Sequence, residues 1–272
     1  MEKQDIKSMT QEELRAFLVS LGEKPFRTAQ IYQWMHEKLA SSFDDMTNLS
    51  KVLRQKLQDA CEYVSLEKVR VQISQIDGTR KYLFRLADGN VIESVLMRYK
   101  HGNSVCISSQ VGCRMGCRFC ASTLDGLERN LRPSEMLDQI YQIQRDTGER
   151  VSNVVVMGSG EPLDNYDNLI RFIHLLTEEG GLHISQRNVT VSTCGLVPKI
   201  RELADQGLTI TLALSLHAPN DEVRKSLMPI ARTYALKDVL AACHYYFEKT
   251  GLSTAWCRES TTIWTRRASW RR

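Results

Sequence analysis

The sequence has no run of about 18 apolar residues, so nothing in it reads as a membrane-spanning helix. It has no apolar stretch behind its polar start, Met1-Glu2-Lys3-Gln4-Asp5, which argues against a secretory leader. It lacks internal repeats and low-complexity tracts, which argues against a solenoid or a disordered tail protein. It also has little net charge: 36 Lys and Arg against 32 Asp and Glu in 272 residues. Even this excess is local. Residues 252–272 hold five Arg and one Glu, which leaves residues 1–251 with 31 of each sign. A neutral body lacks the broad basic footprint of a nucleic-acid binder, so any RNA contact must rest on local patches.

What is present is an ordinary globular composition, 42% hydrophobic and 25% charged. Eight cysteines without a leader point to a reducing compartment, the cytoplasm. There, metal binding or catalysis is a commoner use of cysteine than a disulfide.

Residues 1–63 read as a helical module. Thr10 and Glu13 form a capping box ahead of Leu14, Phe17, Leu18 and Leu21, and Gly22 is a stop. Phe26, Ile31, Trp34 and Met35 mark a second helix after Pro25; Ser50 caps a third with Val52, Leu53, Leu57 and Ala60 as its apolar positions. The module is either a structural cap or an RNA-binding element. Residues 64–104 change to period two, with Val69, Val71 and Ile73 and then Tyr82, Phe84 and Leu86 as half-buried strand positions. Asp77-Gly78 and Asp88-Gly89 are hairpin turns. A short antiparallel meander is expected.

Between 105 and 251 strand and helix alternate. The strand-like runs are 105–108, 154–157, 189–192 and 209–214. The helix-like runs are 134–144, 168–176, 197–205 and 236–249. Such βα alternation implies α/β architecture with a parallel sheet, open or curled into part of a barrel.

The chemistry is concentrated in Gly112-Cys113-Arg114-Met115-Gly116-Cys117-Arg118-Phe119-Cys120. Three cysteines spaced C-x3-C-x2-C lack the second cysteine pair of the usual zinc site. An iron–sulfur cluster usually takes four, so three ligands leave one iron open. Zinc or incidental clustering are the alternatives at this point. Glycines 112 and 116 let the loop wrap closely.

This motif, with an aromatic before its last cysteine, resembles the radical S-adenosylmethionine (SAM) superfamily. Cys106-Ile107-Ser108-Ser109-Gln110-Val111-Gly112-Cys113, Asn130-Leu131-Arg132, Met157-Gly158-Ser159-Gly160-Glu161-Pro162-Leu163 and Ser215-Leu216-His217-Ala218-Pro219-Asn220 narrow the resemblance to the RlmN-type RNA methyltransferases. The resemblance runs from about residue 10 to 251 and implies a partial (β/α)6 barrel, of which about four units are visible. It implies a [4Fe-4S] cluster on Cys113, Cys117 and Cys120, whose open iron binds SAM. SAM contacts would come from Gly160, Glu161, Ser192, Ser215, Leu216 and His217. Glu93 matches the family's proton acceptor, and Cys106 the cysteine that releases product. The implied reaction is methylation of adenine carbon 2 in 23S rRNA and in tRNA, 3′ of the anticodon, with flavodoxin or a similar electron donor and a monomeric enzyme. Related enzymes that methylate adenine carbon 8, or a non-catalytic truncated product, are the alternatives.

Each matched residue also has an ordinary reading. Glu93 could be a solvated strand charge, Cys106 a core thiol, Ser192 and Ser215 strand-end polar groups, His217 a turn residue and Glu161 a loop charge. Cys61, Cys194 and Cys243 read as core, and His244 as helix surface.

After Gly251 the resemblance stops. Residues 252–272 carry three of the four Trp and no periodic pattern. Shifted by one base, Trp256-Cys257 forces Val and Trp264-Thr265 forces Asp, and the segment can be read as the family's continuation. A changed reading frame is therefore expected, together with loss of the methyl-carrying cysteine, an exposed fourth strand and an inactive chain.

Overall fold

The structure, a computed structural model, describes residues 3–252 and the backbone of 255–257. It divides into two compact units. The first comprises Met1–Val105, Leu131–Ser152 and Asp167–Ser185.

In that unit β1 (Gln4–Asp5) pairs in parallel with β2 (Cys61–Glu62). Between them lie α1 (Gln11–Ser20), α2 (Arg27–His36) and α3 (Lys51–Ala60). The Thr10–Glu13 capping box is formed in both directions, and Ser50 Oγ accepts the Leu53 N–H at 3.2 Å. Leu14, Leu18, Ile31, Met35, Leu53 and Leu57 share one apolar cluster. Val52, expected on the buried face, is exposed, because Leu53 and Leu57, one turn apart, occupy the inward positions instead.

The long α4 (Pro133–Thr147) starts on Pro133 and stops at Gly148, whose φ of +68° suits a left-handed cap. It is polar inside. Lys7 and Asp138, both with no exposed side-chain surface, pair at 2.9 Å. His36 Nδ1 meets Tyr141 Oη at 2.6 Å, and Arg145 Nη1 donates to Leu39 O and Ala40 O. α5 (Tyr166–Thr177) carries Arg171, which pairs with Glu13 at 2.5 Å.

The expected meander is present as β3 (Glu67–Ile73), β4 (Arg80–Arg85) and β5 (Val91–Tyr99), antiparallel, with Tyr82 opposite Ser94 and Phe84 opposite Ile92. Tyr82 and Phe84 are buried and stack at 5.5 Å. The expectation of half-burial fails for β3, where Val69 and Ile73 are exposed. Alternation marks a strand, but burial needs a layer over that face.

β6 (Gly102–Ile107) leads into the second unit, which holds Cys106–Asn130, Asn153–Tyr166 and the chain from Gln186 onward. There β7 (Gln110–Gly112) and β8 (Leu127–Asn130) form a small antiparallel hairpin. β9 (Val151–Val156), β10 (Val189–Thr193) and β11 (Thr211–Ser215) run parallel and side by side. Val189 and Val191 on β10, and Leu212, Ala213 and Leu214 on β11, are all buried. Near-continuous apolar runs of this kind are what parallel strands need when both faces are covered. α6 (Val197–Asp205), α7 (Asp221–Leu227) and α8 (Leu236–Thr250) complete the alternation. The short α7, capped by Asn220 Oδ1 accepting from Val223 N, was not expected from the sequence.

β12 (Ala255–Cys257) pairs in parallel with β11, so β11 is not the edge strand that the sequence reading proposed. Apart from that backbone, the anomalous segment from 253 lies outside the described residues, and with it the question of its reading frame.

Candidate active site

The site is assembled in the second unit from the ends of β9, β10 and β11 and the loop after β7. Ligands gather at the C-terminal ends of parallel strands because that is where the connecting loops open. The base of the cysteine loop is the β7–β8 hairpin, with Gln110 opposite Asn130 and Gly112 opposite Leu127. Gly112 has φ +72°, and a Cβ there would lie 2.0 Å from Gly126 O. The same close approach lets Cys113 N donate to Gly126 O at 2.8 Å. Further round, Thr123 Oγ1 donates to both Cys117 O and Cys120 O. Arg118 N donates to Leu227 O, fastening the loop to α7.

Cys113 and Cys117 are buried and Cys120 is partly exposed, and all three pack with Met115, Cys194 and Met228 in one cluster. Burial first, then the neighbouring Cys120 and Glu161, push the Cys113 thiol up to about 11; a hydrogen bond from Met115 opposes them. Cys117 goes up to about 12, chiefly by burial and then by Cys113 and Cys120. Among the described residues no group of three His, Cys, Asp or Glu is placed to hold a metal ion. A four-iron cubane asks for something different: each thiolate binds its own iron, so the sulfurs line a pocket instead of converging on a point. Three soft donors around an apolar pocket, with no fourth protein ligand required, fit that group.

Next to this loop stands Gly158-Ser159-Gly160-Glu161. Gly158 N donates to Ile107 O, and a Cβ on Gly158 would meet Ser108 Oγ at 2.6 Å. Gly160, at φ +104°, lies where a Cβ would strike Gln110 at 2.6 Å. Glu161 is buried, and burial raises its carboxyl above the usual range. Its N–H donates to Gln110 Oε1, while its carboxylate accepts from Leu163 N at 3.2 Å and Cys194 N at 2.8 Å. Gln110 Nε2 in turn donates to Asn130 and Asp164. Glu161 is therefore no loose surface charge.

Ser192 and Ser215 end adjacent strands, their hydroxyls 3.3 Å apart. Leu216 and His217 follow; His217 has φ +56°, and its ring tilts onto Phe119 of the cysteine loop at 4.5 Å. The unit thus brings together Cys113, Cys117, Cys120, Gly160, Glu161, Ser192, Ser215, Leu216 and His217. Cys106 is in the same unit at the end of β6, its thiol pushed up to about 12 by burial against a hydrogen bond from Met157. Glu93 belongs to the first unit, on β5, half-exposed and 2.6 Å from Lys81 Nζ.

Two residues were missed. Cys194, read as core, lies in the cysteine pocket itself. Arg224 on α7 is wholly buried and donates from Nη2 to Cys194 O at 2.5 Å. The Asn220-Asp221-Glu222 start of α7 was a readable cap signal; the inward aim of Arg224 had no local sign.

Comparison with known proteins completes the picture. Residues 4–63 match the ribosomal RNA large subunit methyltransferase N-terminal domain, and residues 107–254 match the radical SAM superfamily. The chain is 70% identical over 247 residues to a probable dual-specificity RNA methyltransferase RlmN of Lachnospira eligens, covering 91% of this chain and 71% of that protein. It is 65% identical to the protein of the same name in Lachnoclostridium phytofermentans, covering 92% of this chain and 70% of that one. A crystal structure of a radical SAM methyltransferase from Sphaerobacter thermophilus superposes with a TM-score of 0.89 at 41% identity, over 93% of this chain and 75% of that one.

Proposed function

Because the chain belongs to the RlmN-type radical SAM RNA methyltransferases, which use SAM and a [4Fe-4S] cluster, we propose that its site is built for methylation of carbon 2 of adenine in 23S rRNA and in tRNA, 3′ of the anticodon. The observation that carries this is the buried three-cysteine pocket beside the Gly160-Glu161 loop and the β10 and β11 ends. That carbon is electron-poor and resists polar methyl transfer; the bound cluster and SAM supply radical chemistry suited to it. The protein supplies position.

Cys113, Cys117 and Cys120 hold the cluster, Cys113 and Cys117 giving up protons that burial otherwise retains. Glu161, anchored by two backbone N–H groups, keeps lone pairs for the SAM ammonium. Gly160, Ser192, Ser215, Leu216 and His217 line the SAM side. Glu93, 2.6 Å from Lys81 Nζ, accepts the proton leaving carbon 2. Cys106, a thiol that burial keeps protonated at neutral pH, would once deprotonated attack the thioether sulfur of the enzyme–RNA intermediate, the new S–S bond forming as the S–C bond to the product breaks. RNA is met by local basic patches, so binding weakens with salt. The donor is a low-potential protein of the flavodoxin kind, and the enzyme works as a monomer in the cytoplasm. No described helix is long and apolar enough to cross a membrane.

The test is mass spectrometry of rRNA and tRNA from cells lacking their own enzyme and expressing either this chain or a version restored to the shifted frame after Gly251. 2-Methyladenosine is expected with the restored frame and not with this chain. Exclusive 8-methyladenosine, or no methylated adenosine, from the restored frame refutes the reading.

A further inference from the structure

Among the described residues of the second unit, Arg224 is the most deeply buried large charged side chain, with none of its surface exposed. Its Nη2 donates to Cys194 O at 2.5 Å, while its Nε and Nη1 are buried without a hydrogen-bond partner among the described residues. An uncompensated buried guanidinium is costly, so something must offset it when the protein works. The surroundings say what. The carbonyl it touches belongs to Cys194, which packs with Cys113 and Cys117. Its own helix is tied to the cysteine loop through Arg118 N and Leu227 O, and Met228, the residue after that helix, sits in the cysteine pocket. Gly195 makes the room: a Cβ there would stand 3.2 Å from Arg224 Nη2 and 3.1 Å from Val239. Asp221, at the start of the helix, is an acidic neighbour, but its Oδ1 accepts from Leu236 N.

We propose that Arg224 is the fixed positive charge that offsets a [4Fe-4S] cluster on Cys113, Cys117 and Cys120 and makes its one-electron reduction easier. This rests on the cluster reading above. A cubane with three thiolates is net anionic and becomes more so on accepting an electron. Net charge and hydrogen bonding near the sulfurs are established levers on cluster potential. The electrostatic neighbours agree: burial lowers the Arg224 pKa, while Cys194, Asp221 and Cys117 act in the opposite sense. Arg224 needs no contact with SAM or RNA to act, so it is a positioning residue for charge and not a catalytic one.

The unmutated chain, Arg224→Met and Arg224→Lys are reconstituted anaerobically with iron and sulfide, their iron counted, and each titrated with dithionite under electron paramagnetic resonance. In Arg224→Met the reduced-to-oxidised ratio at fixed potential is expected to fall at least about tenfold, which is about 59 mV in midpoint for one electron. Arg224→Lys, which keeps the charge, should stay within about threefold of the unmutated chain. An unchanged midpoint in Arg224→Met overturns the proposal. A second measurement needs no change at Arg224. A chain labelled with 15N-arginine, with the exposed Arg114 and Arg118 changed to Lys, should show electron–nuclear double resonance coupling between the reduced cluster and a guanidinium nitrogen; absence of coupling overturns the proposal. No iron uptake by the unmutated chain overturns the cluster reading itself, and this inference with it.

Discussion

The Glu161 carboxylate accepts the Cys194 N–H at 2.8 Å, tying the loop after β9 to the end of β10. One buried side chain thus holds two loops together, and in the proposed function it also presents a charge to SAM. The tasks separate by substitution. Glu161→Ala leaves the Leu163 and Cys194 N–H groups buried without their acceptor, and should cost about 2–4 kcal/mol in denaturant unfolding. Glu161→Gln keeps one of the two acceptor oxygens, so it should recover at most about half of that stability, and it should still bind SAM at least about tenfold more weakly, because the ammonium loses its counter-charge. Equal SAM affinity in Glu161→Gln and the unmutated chain would leave Glu161 a purely structural residue.

Two glycines in the cysteine loop look alike in conformation and differ in space. Gly112 and Gly126 have φ of +72° and +74°, but only a Cβ on Gly112 meets an obstacle, Gly126 O at 2.0 Å. Gly126→Ala should cost about 1–2 kcal/mol, the penalty of a left-handed residue alone. Gly112→Ala should cost more and also lower iron content, because the β7–β8 hairpin cannot close. Thermal unfolding with iron analysis of both variants checks this; equal losses would mean that the close approach carries no weight.

Loading the cysteine pocket should depend steeply on pH. Cys113 and Cys117 have their thiols pushed up to about 11 and about 12, so both are protonated at neutral pH and must lose protons to bind iron. Iron–sulfur affinity should therefore rise as pH rises, by about tenfold per unit for each of these thiols, throughout the range below about pH 11. Protons should appear in weakly buffered solution on loading. Competition against a chelator at pH 7 and pH 8, corrected for the chelator's own titration, measures the slope. Cys113→Ala or Cys117→Ala should abolish the iron–sulfur absorption, and stoichiometric zinc in place of iron would count against a cluster.

Removing residues 1–63 is a poor test of RNA binding, because the helical segment shares its polar core with α4. Lys7 alone makes the point. Lys7→Met leaves the buried Asp138 with only its longer contact to Arg145 at 3.5 Å and should destabilise the chain by about 3–5 kcal/mol. Adding Asp138→Leu should restore part of this. It should not restore all, since Asp138 Oδ2 also accepts from Leu66 N at 2.7 Å. A double variant no more stable than Lys7→Met would show that the two side chains act independently.

By itself the sequence determined the local elements and the chemistry. The Thr10–Glu13 capping box, the Asp-Gly turns, the four βα repeats and the C-x3-C-x2-C spacing are written in residues close together, and short-range geometry follows from them. The β10 and β11 strands were legible because parallel strands bury both faces and so read as apolar runs. Tertiary structure decided whatever depends on a distant neighbour. No local pattern says that Val69 and Ile73 on β3 stay exposed, that Leu53 and not Val52 turns inward, or that β12 pairs with β11. Nor does any pattern say that Glu161 reaches Cys194, or that Arg224, an ordinary helix arginine by sequence, is buried against the Cys194 carbonyl. Burial and charge compensation are set by what packs around a side chain, and that is fixed only when the loops after β7, β9, β10 and β11 come together.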